Sequence, residues 1–307
     1  MRIIRNAAEA FDRKWVATVG FFDGVHRGHR FLIRSLRELA DRKGLPAAVL
    51  TFPVHPYVVL QQGFEPSLLN TFDEKMVQLA TTGIDACFVV DFTPELATLP
   101  ARDFIVGVLS QQWRVDTLLA GYDHRFGHNR IDGFEQYVAY GRTCSMEVIR
   151  AGIYESGEKA ISASRIRQLL SEGNVEEAAQ MLTYPYRLKG HVVPGHRKGR
   201  ELGFATANIS VDDRQKAYPG TGVYAVWAHV GGRRYKGMLS IGNRPTFGGK
   251  EISVEVHLLH FSETIYGKVM EVAFVRHLRE NRKFDSLDAL KAQLAEDRRT
   301  TDEILSA

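Results

Sequence analysis

The chain has 307 residues, 44% hydrophobic and 25% charged, with 40 Lys and Arg against 36 Asp and Glu for a formal net charge of +4. That length predicts about two domains, and the composition excludes a disordered, collagenous or disulfide-stapled chain. The basic excess is spread along the sequence, which argues against a nucleic-acid binder and suits small anionic ligands. No apolar run approaches the roughly 20 residues that span a bilayer.

The N-terminus, M-R-I-I-R-N-A-A-E-A, has no apolar core of signal-peptide length, so a cytoplasmic location is expected. Cys87 and Cys144 lie in apolar, strand-like runs and read as buried free thiols of a reducing compartment. Strand and helix signals then alternate over the first 184 residues. Residues 16–20 read as a strand. Residues 29–43 read as a helix with Leu32, Leu36, Leu39 and Ala40 on one face and Gly44 as its stop. A buried-type strand follows at 47–52. Thr71 with Glu74 makes a capping box for a helix reaching residue 82. Next come a strand at 86–91, a helix at 103–113, and strands at 117–121 and 144–149. Such alternation implies a parallel sheet with helices on both faces and a ligand outside the carboxyl ends of its strands. Two short helices, at 164–172 and 174–182 with Gly173 between them, close this half.

After Tyr184-Pro185 the texture changes. Strand-like runs with Gly-rich turns occupy 187–193, 222–230, 235–242, 252–261 and 268–275, the pattern of an antiparallel sheet or small closed barrel. A helix at 286–305 ends the chain, with Leu287, Leu290, Leu294 and Ile304 as expected core contacts. The expected domains are therefore 1–184 and 185–307.

The stretch G-F-F-D-G-V-H-R-G-H at 20–29 carries the first chemical signal. It lies where a strand ends and a helix begins, so free backbone N–H groups and a helix dipole attract phosphate there. Gly20, Asp23, Gly24 and Gly28 belong to this phosphate loop, and the glycines allow close approach of backbone to ligand. His26 and His29, three residues apart, lean the same way and are suited to donate hydrogen bonds to charge growing on the oxygens of a triphosphate. Phosphoryl and nucleotidyl transfer depend mostly on such positioning and electrostatics. The Rossmann pattern G-x-G-x-x-G and the Walker pattern are both missing. A zinc site built on the two histidines, which would need a third ligand, and a pair of ordinary turn histidines stay open as readings. Downstream, Ile161-Ser162-Ala163-Ser164-Arg165 opens another helix. Either serine reads as an N-cap, and the two hydroxyls with Arg165 also read as a phosphate clamp. Asp123, after a strand, reads as a ligand for a ribose hydroxyl or nucleotide amine, or as a turn aspartate.

With these motifs and the second half in view, the chain resembles the bacterial bifunctional riboflavin kinase/FMN adenylyltransferase (FAD synthetase) family. The resemblance rests on G-x-F-D-G-V-H-R-G-H, G-Y-D-H-R-F-G at 121–127 and I-S-A-S-R-I-R at 161–167. It continues through G-R-x-x-G-F-A-T-A-N at 199–208, G-V-Y-A at 222–225, I-G-N-R-P-T-F at 241–247, V-E-V-H at 254–257 and K-F-D-S-L at 283–287. It implies an α/β nucleotidyltransferase domain followed by an antiparallel β-barrel riboflavin kinase domain with a terminal helix. It implies two ATP-dependent reactions, riboflavin to FMN and FMN to FAD with release of pyrophosphate, so that riboflavin, FMN, FAD and ATP are the ligands and Mg²⁺ the cofactor. By the family pattern His26, His29, Asp123, Ser162, Ser164 and Arg165 belong to adenylyl transfer. Thr206, Asn208 and Glu255 belong to the kinase, with a nucleotide or flavin loop carrying Gly195, Gly199, Arg200 and Gly203.

Thr206 and Asn208 are two apart in an extended segment and share a face. Their neutral oxygens suit Mg²⁺, which takes few protein ligands and relies on phosphate oxygens, and they equally suit turn hydrogen bonds. Glu255 faces opposite to Val254 and Val256, either as a base for the riboflavin 5′-hydroxyl or as a solvated charge. Four positions depart from the family pattern. Ala205 stands for a proline, which frees φ just before Thr206. His196 stands for an acidic residue, Phe52-Pro53-Val54-His55-Pro56 for F-[DE]-P-H-P, and His124 for a phenylalanine. A chain with only the adenylyltransferase half active and a non-catalytic flavin or nucleotide sensor are the rival functions. The sequence leaves open whether the chain forms a homo-oligomer.

Overall fold

The structure, a computed structural model, describes residues 1–61, 63–122, 124–128, 131–154, 161–195, 203–246 and 249–306. They form two units, Met1–Ser162 and Ala163–Ala307.

The first unit is built on six strands: β1 (Arg2–Ile4), β2 (Trp15–Val19), β3 (Ala47–Thr51), β4 (Ala86–Val89), β5 (Val115–Ala120) and β6 (Glu147–Arg150). All neighbours pair parallel, in the order β1-β4-β3-β2-β5-β6. The helices are α1 (Arg27–Lys43), α2 (Pro56–Leu60), α3 (Phe72–Ala80), α4 (Pro94–Thr98), α5 (Ala101–Asp103) and α6 (Phe134–Thr143). Strand alternation sorts the side chains into two cores. Trp15, Ala17 and Val19 of β2 face Phe104, Leu109, Trp113 and Tyr137. Val16 faces the other way, onto Ile33, Leu36 and Leu39 of α1. Helices therefore cover both faces, as the alternating signals predict. Chain order reverses between β2 and β5, a switch point that leaves a crevice at the carboxyl ends of these two strands.

The caps explain the helix limits. Gly44 ends α1 at φ 62°, and Thr71 with Glu74 forms the expected capping box at α3. The helix expected at 103–113 is instead α5 running into a π-helix, Phe104–Gln112, closed by a Trp113 N–H bond to Val108 O. Cys87 is buried in β4 as expected, whereas Cys144 is half-buried at the C-cap of α6 and not in a strand. The first turn of α6 follows Gly133, which offers no side-chain cap, so neither periodicity nor a cap announces this helix.

The second unit opens with α7 (Ala163–Ser171) and α8 (Val175–Leu182). Sequence texture groups these helices with the α/β half, but by packing they belong here: Gly220 N–H bonds Leu170 O at 2.8 Å, and Gly173 lies against the Tyr224 hydroxyl. The strands β7 (Arg187–Val193), β8 (Ala207–Val211), β9 (Gly222–Val230), β10 (Arg233–Thr246), β11 (Gly249–Leu258) and β12 (Val269–Arg279) close into an antiparallel barrel, order β10-β11-β8-β7-β12-β9. Closure removes the unpaired edges of an open sheet. The terminal helix α9 (Leu287–Ile304) starts at the Ser286 cap. Its face is not the expected one, since Leu287 is 66% exposed while Asp297 and Thr301 are buried.

Candidate active sites

Between β2 and α1 the chain turns so tightly that two non-glycine residues adopt left-handed φ, Phe22 at 57° and Val25 at 37°, with Gly24 at 76° between them. Such strain, on the order of 1–3 kcal/mol per residue, persists only where surrounding contacts over-determine it. Asp23 supplies one such contact. Its buried carboxylate accepts the backbone N–H groups of Leu69 (3.0 and 3.1 Å) and Asn70 (3.2 Å), which gives it a task behind the loop. Gly24 is required by its φ. Gly28 makes room for a ring, since a Cβ there would stand 3.3 Å from His26, and a Cβ on Gly20 would stand 2.9 Å from the Phe22 ring.

His26 caps α1 by accepting the His29 backbone N–H on Nδ1 at 3.4 Å. An accepting Nδ1 puts the ring proton of a neutral imidazole on Nε2. The two histidine rings stack with centroids 3.7 Å apart, and Phe22 meets His29 edge-on at 5.1 Å. Burial holds the His26 pKa down at about 4. Burial first, then the charges of His26, His124 and Lys75, push His29 well below its usual 6.5. Both rings are thus neutral donors at neutral pH. His29 Nδ1 is buried with no hydrogen-bond partner among the described residues, a polar atom that a ligand would satisfy.

The loop after β5 stands beside this one because β2 and β5 are neighbours. There His124 accepts the Gly121 N–H on Nδ1 at 3.1 Å, so the departure from phenylalanine adds a polar anchor. Asp123 lies outside the described residues. A cavity of about 340 Å³ joins the two loops, walled by Phe21, Phe52, Tyr57, Phe92, Phe126 and His124. His55 supports its wall from behind Phe21: it caps α2 through Nδ1 and packs edge-on against Phe21 at 4.7 Å. A second cavity of about 360 Å³ shares His124 and Arg125 and is lined by Arg150, Tyr122 and Phe134. Arg150 lies over the Tyr122 ring at 4.6 Å.

One residue near this site escaped the sequence reading. Lys75 of α3 is only 2% exposed. Its Nζ donates to Phe52 O (2.8 Å), Phe21 O (3.1 Å) and Thr51 Oγ1 (3.3 Å), and burial brings its pKa down to about 8. The available signal was its register: Phe72, Lys75, Met76 and Leu79 fall on one helical face. Ser162 ends the first unit, and Ser164 and Arg165 lie in the first turn of α7 in the second.

In the second unit, β8 and β11 pair with Asn208 directly opposite Glu255. Thr206 Oγ1 donates to Glu255 Oε2 at 3.5 Å. Val254 and Val256 point into the barrel and are buried, so Glu255 faces outward with Thr206 and Asn208, as its alternation predicts. The three expected kinase residues therefore share one patch. Gly195 presses on that patch, because a Cβ there would stand 2.0 Å from Asn208 Nδ2. Gly203 is left-handed at φ 83°, while His196, Gly199 and Arg200 lie outside the described residues. Ala205, the other departure, is tied by its carbonyl, which accepts from His257 Nδ1 at 2.9 Å.

A cavity of about 270 Å³ borders the patch, with Phe204, Met238, Phe284, Leu290 and Leu294 among its walls. Leu290 and Leu294 thus line a cavity rather than a core. Arg279, also in its wall, grips the 4%-exposed Asp297 of α9 through Nε (3.0 and 3.1 Å) and Nη2 (2.7 Å). Asp297 also accepts from Gln293 at 2.7 Å. Among the described residues no group of three or more His, Cys, Asp or Glu is arranged to hold a metal. The Thr206 and Asn208 oxygens instead fit a hard cation that draws its remaining ligands from phosphate and water.

Comparison with known proteins matches both halves of the chain. The riboflavin kinase family model matches residues 182–305 and the FAD synthetase model residues 8–165. The bifunctional riboflavin kinase/FMN adenylyltransferase of Escherichia coli (strain K12) is 36% identical over 304 residues, covering 99% of this chain and 96% of that protein. The proteins of the same name from Listeria monocytogenes and Bacillus subtilis are 37% and 34% identical, each over 93% of this chain and 91% and 90% of theirs. A crystal structure described as a macrolide-efflux protein from Streptococcus pneumoniae superposes with a TM-score of 0.88 at 32% identity, covering 98% of both chains. Among the described residues no helix is long and apolar enough to cross a membrane. Two family models that together span both units, and relatives aligned almost end to end, make the chain a member of the bifunctional riboflavin kinase/FMN adenylyltransferase family.

Proposed function

We infer that the chain makes FAD from riboflavin in two ATP-dependent steps, with adenylyl transfer assigned to residues 1–184 and riboflavin phosphorylation to 185–307. The observation that carries the transferase half is the neutral His26–His29 pair on a strained loop beside an aromatic cavity. The flavin ring of FMN lies in that cavity, and its phosphate oxygen attacks the α-phosphorus of ATP. A P–O bond forms there as the bond to the bridging oxygen breaks, and pyrophosphate leaves. His26 and His29 donate hydrogen bonds to oxygens on which charge grows, which is where preorganised donors lower a barrier most. Gly20, Gly24 and Gly28 shape the loop, and the resemblance carries Asp123, Ser162, Ser164 and Arg165 to nucleotide and phosphate binding.

In the kinase half, Glu255 accepts the proton of the riboflavin 5′-hydroxyl as that oxygen attacks the γ-phosphorus of ATP; the bond to the bridging oxygen breaks and ADP leaves. Thr206 and Asn208 would hold Mg²⁺, which supplies charge neutralisation on the phosphates when bound. The loop bearing Gly195, Gly199, Arg200 and Gly203 covers nucleotide or flavin, and the ring packs against Phe204, Phe284 and Leu290. A cytoplasmic location is in keeping with the two free cysteines.

The test is incubation of purified protein with riboflavin, ATP and Mg²⁺, with FMN and FAD separated by chromatography. FMN without FAD would remove the transferase assignment, and FAD only from supplied FMN would remove the kinase assignment. His29→Ala is expected to abolish FAD formation and spare riboflavin phosphorylation. Equal loss of both would refute two separate sites.

A further inference from the structure

The ladder between β2 and β3 ends at the Gly20 N–H bond to Leu50 O, 3.0 Å. Beyond it the two chains separate into loops, and the carbonyls of Phe21 and Phe52 are left without a ladder partner. Such buried groups require another donor. Lys75 reaches them from α3. An ammonium has three N–H groups, and here all three have acceptors: Phe21 O, Phe52 O and Thr51 Oγ1. Thr51 in turn donates to Phe21 O at 3.1 Å. With every proton engaged inside the protein, Lys75 has none left to contact a phosphate directly.

What it holds is specific. Phe21 and Phe52, the residues whose carbonyls it binds, both wall the aromatic cavity. Nζ also sits 4.1 Å from the Phe21 ring centroid, a cation–π contact that fixes the ring as well as the backbone. The Phe21 carbonyl lies two residues before Asp23 and five before His26, so the same contact ties the cavity wall to the phosphate loop.

We propose that Lys75 is a positioning residue for adenylyl transfer, its ammonium stapling the loop after β2 to the loop after β3 and so fixing the aromatic walls for the flavin ring of FMN relative to the His26–His29 pair. This rests on the adenylyltransferase reading above. Deprotonation weakens the staple, because a neutral amine has two N–H groups for these three contacts and loses the cation–π attraction to Phe21. Burial lowers the Lys75 pKa to about 8, with the Asp23 carboxylate opposing that shift. Of the groups around it, the Cys87 thiol is pushed up to about 12 and stays neutral, His29 is neutral, the Asp23 carboxylate is held by backbone N–H groups, and Arg5 sits over the Phe72 ring. Burial thus brings the Lys75 charge into the assay range, to about 8.

The experiment is steady-state FAD formation from FMN and ATP by the full chain, wild type and Lys75→Met, across pH 6.5 to 9.5, with riboflavin phosphorylation in the same preparations as control. Wild type should lose kcat/KM for FMN above about pH 8. Lys75→Met should raise KM for FMN about tenfold, the factor that 1.4 kcal/mol produces, change KM for ATP far less, leave phosphorylation intact, and lack the alkaline limb. A variant with wild-type KM for FMN, or one that keeps the limb, overturns the proposal. If Lys75→Met does not fold, Thr51→Val decides: it should raise KM for FMN and move the limb to lower pH, and an unchanged profile overturns the proposal. Wild-type protein that makes no FAD from FMN would instead refute the transferase reading itself.

Discussion

Acid should weaken the first unit through its histidine pair. The ordinary His pKa is 6.5, and burial holds His26 at about 4 in the folded chain. Above pH 6.5 the ring is neutral folded or unfolded, so it adds no pH dependence. Between 6.5 and about 4 the unfolded chain binds a proton that the folded chain refuses, so stability falls as pH falls. At 1.36 kcal/mol per pH unit that gap amounts to about 3 kcal/mol lost by pH 4. His29, displaced in the same direction, adds a loss of the same sign. Urea unfolding measures this in a Trp227→Phe background, where fluorescence from Trp15 and Trp113 reports the first unit alone. His26→Asn keeps an N-cap acceptor for α1 while removing the titration. Its stability should therefore fall by about 3 kcal/mol less than wild type between pH 7.5 and 4. Equal acid sensitivity in the two proteins would refute the neutral-pair description. The same neutrality predicts that His26→Asn shifts no pKa in the kcat/KM profile for ATP near 6.5, where only free ATP's own terminal phosphate titrates.

Three further outcomes follow from the second unit. Glu255→Gln should lower riboflavin phosphorylation by about 10²- to 10⁴-fold, the usual weight of a general base, and leave FAD formation from FMN unchanged; product chromatography checks both. Gly195→Ala should force Asn208 Nδ2 away from its place, since a Cβ there stands 2.0 Å from it, and should raise KM for ATP in the kinase assay alone. Asp297→Ala leaves the Arg279 guanidinium without its bidentate partner. A loss of about 1–3 kcal/mol is expected from removing these charge-assisted hydrogen bonds, seen as a lower melting temperature and a raised KM for riboflavin.

The parts of this molecule legible in its sequence are those where one local rule acts alone. Leu32, Leu36 and Leu39 repeat at helical spacing on α1, and Gly44 stops it. Val254, Glu255 and Val256 alternate on β11, which sets which way the glutamate faces. The histidines of 20–29 announce themselves by residue type and place. Features that depend on tertiary partners were not legible. β1 has three residues, too few to show a period, and it exists because β4 pairs with it. Leu287 looks like a core residue of an amphipathic helix, yet α9 turns Asp297 inward because Arg279 waits there. Lys75 reads as a charge on a surface helix until the carbonyls of Phe21 and Phe52 are seen facing it. Asp23 and Gly28 sit in the expected motif, but what they do is brace the loop and clear space for a ring, which only geometry reveals.

The strand order has a consequence for how the enzyme comes into being. The 20–29 loop leaves the ribosome well before its neighbour is complete, because β2 lies between β3 and β5 and β5 is not made until Val115–Ala120. Parallel pairings across so much intervening chain form slowly. Until then one edge of β2 stays open, and the strained turn at Phe22 and Val25 lacks the neighbours that enforce it. The loop proposed for adenylyl transfer is therefore made before the strand that completes it, and a nascent chain arrested before residue 120 should neither bind nucleotide there nor hide its most aggregation-prone edge.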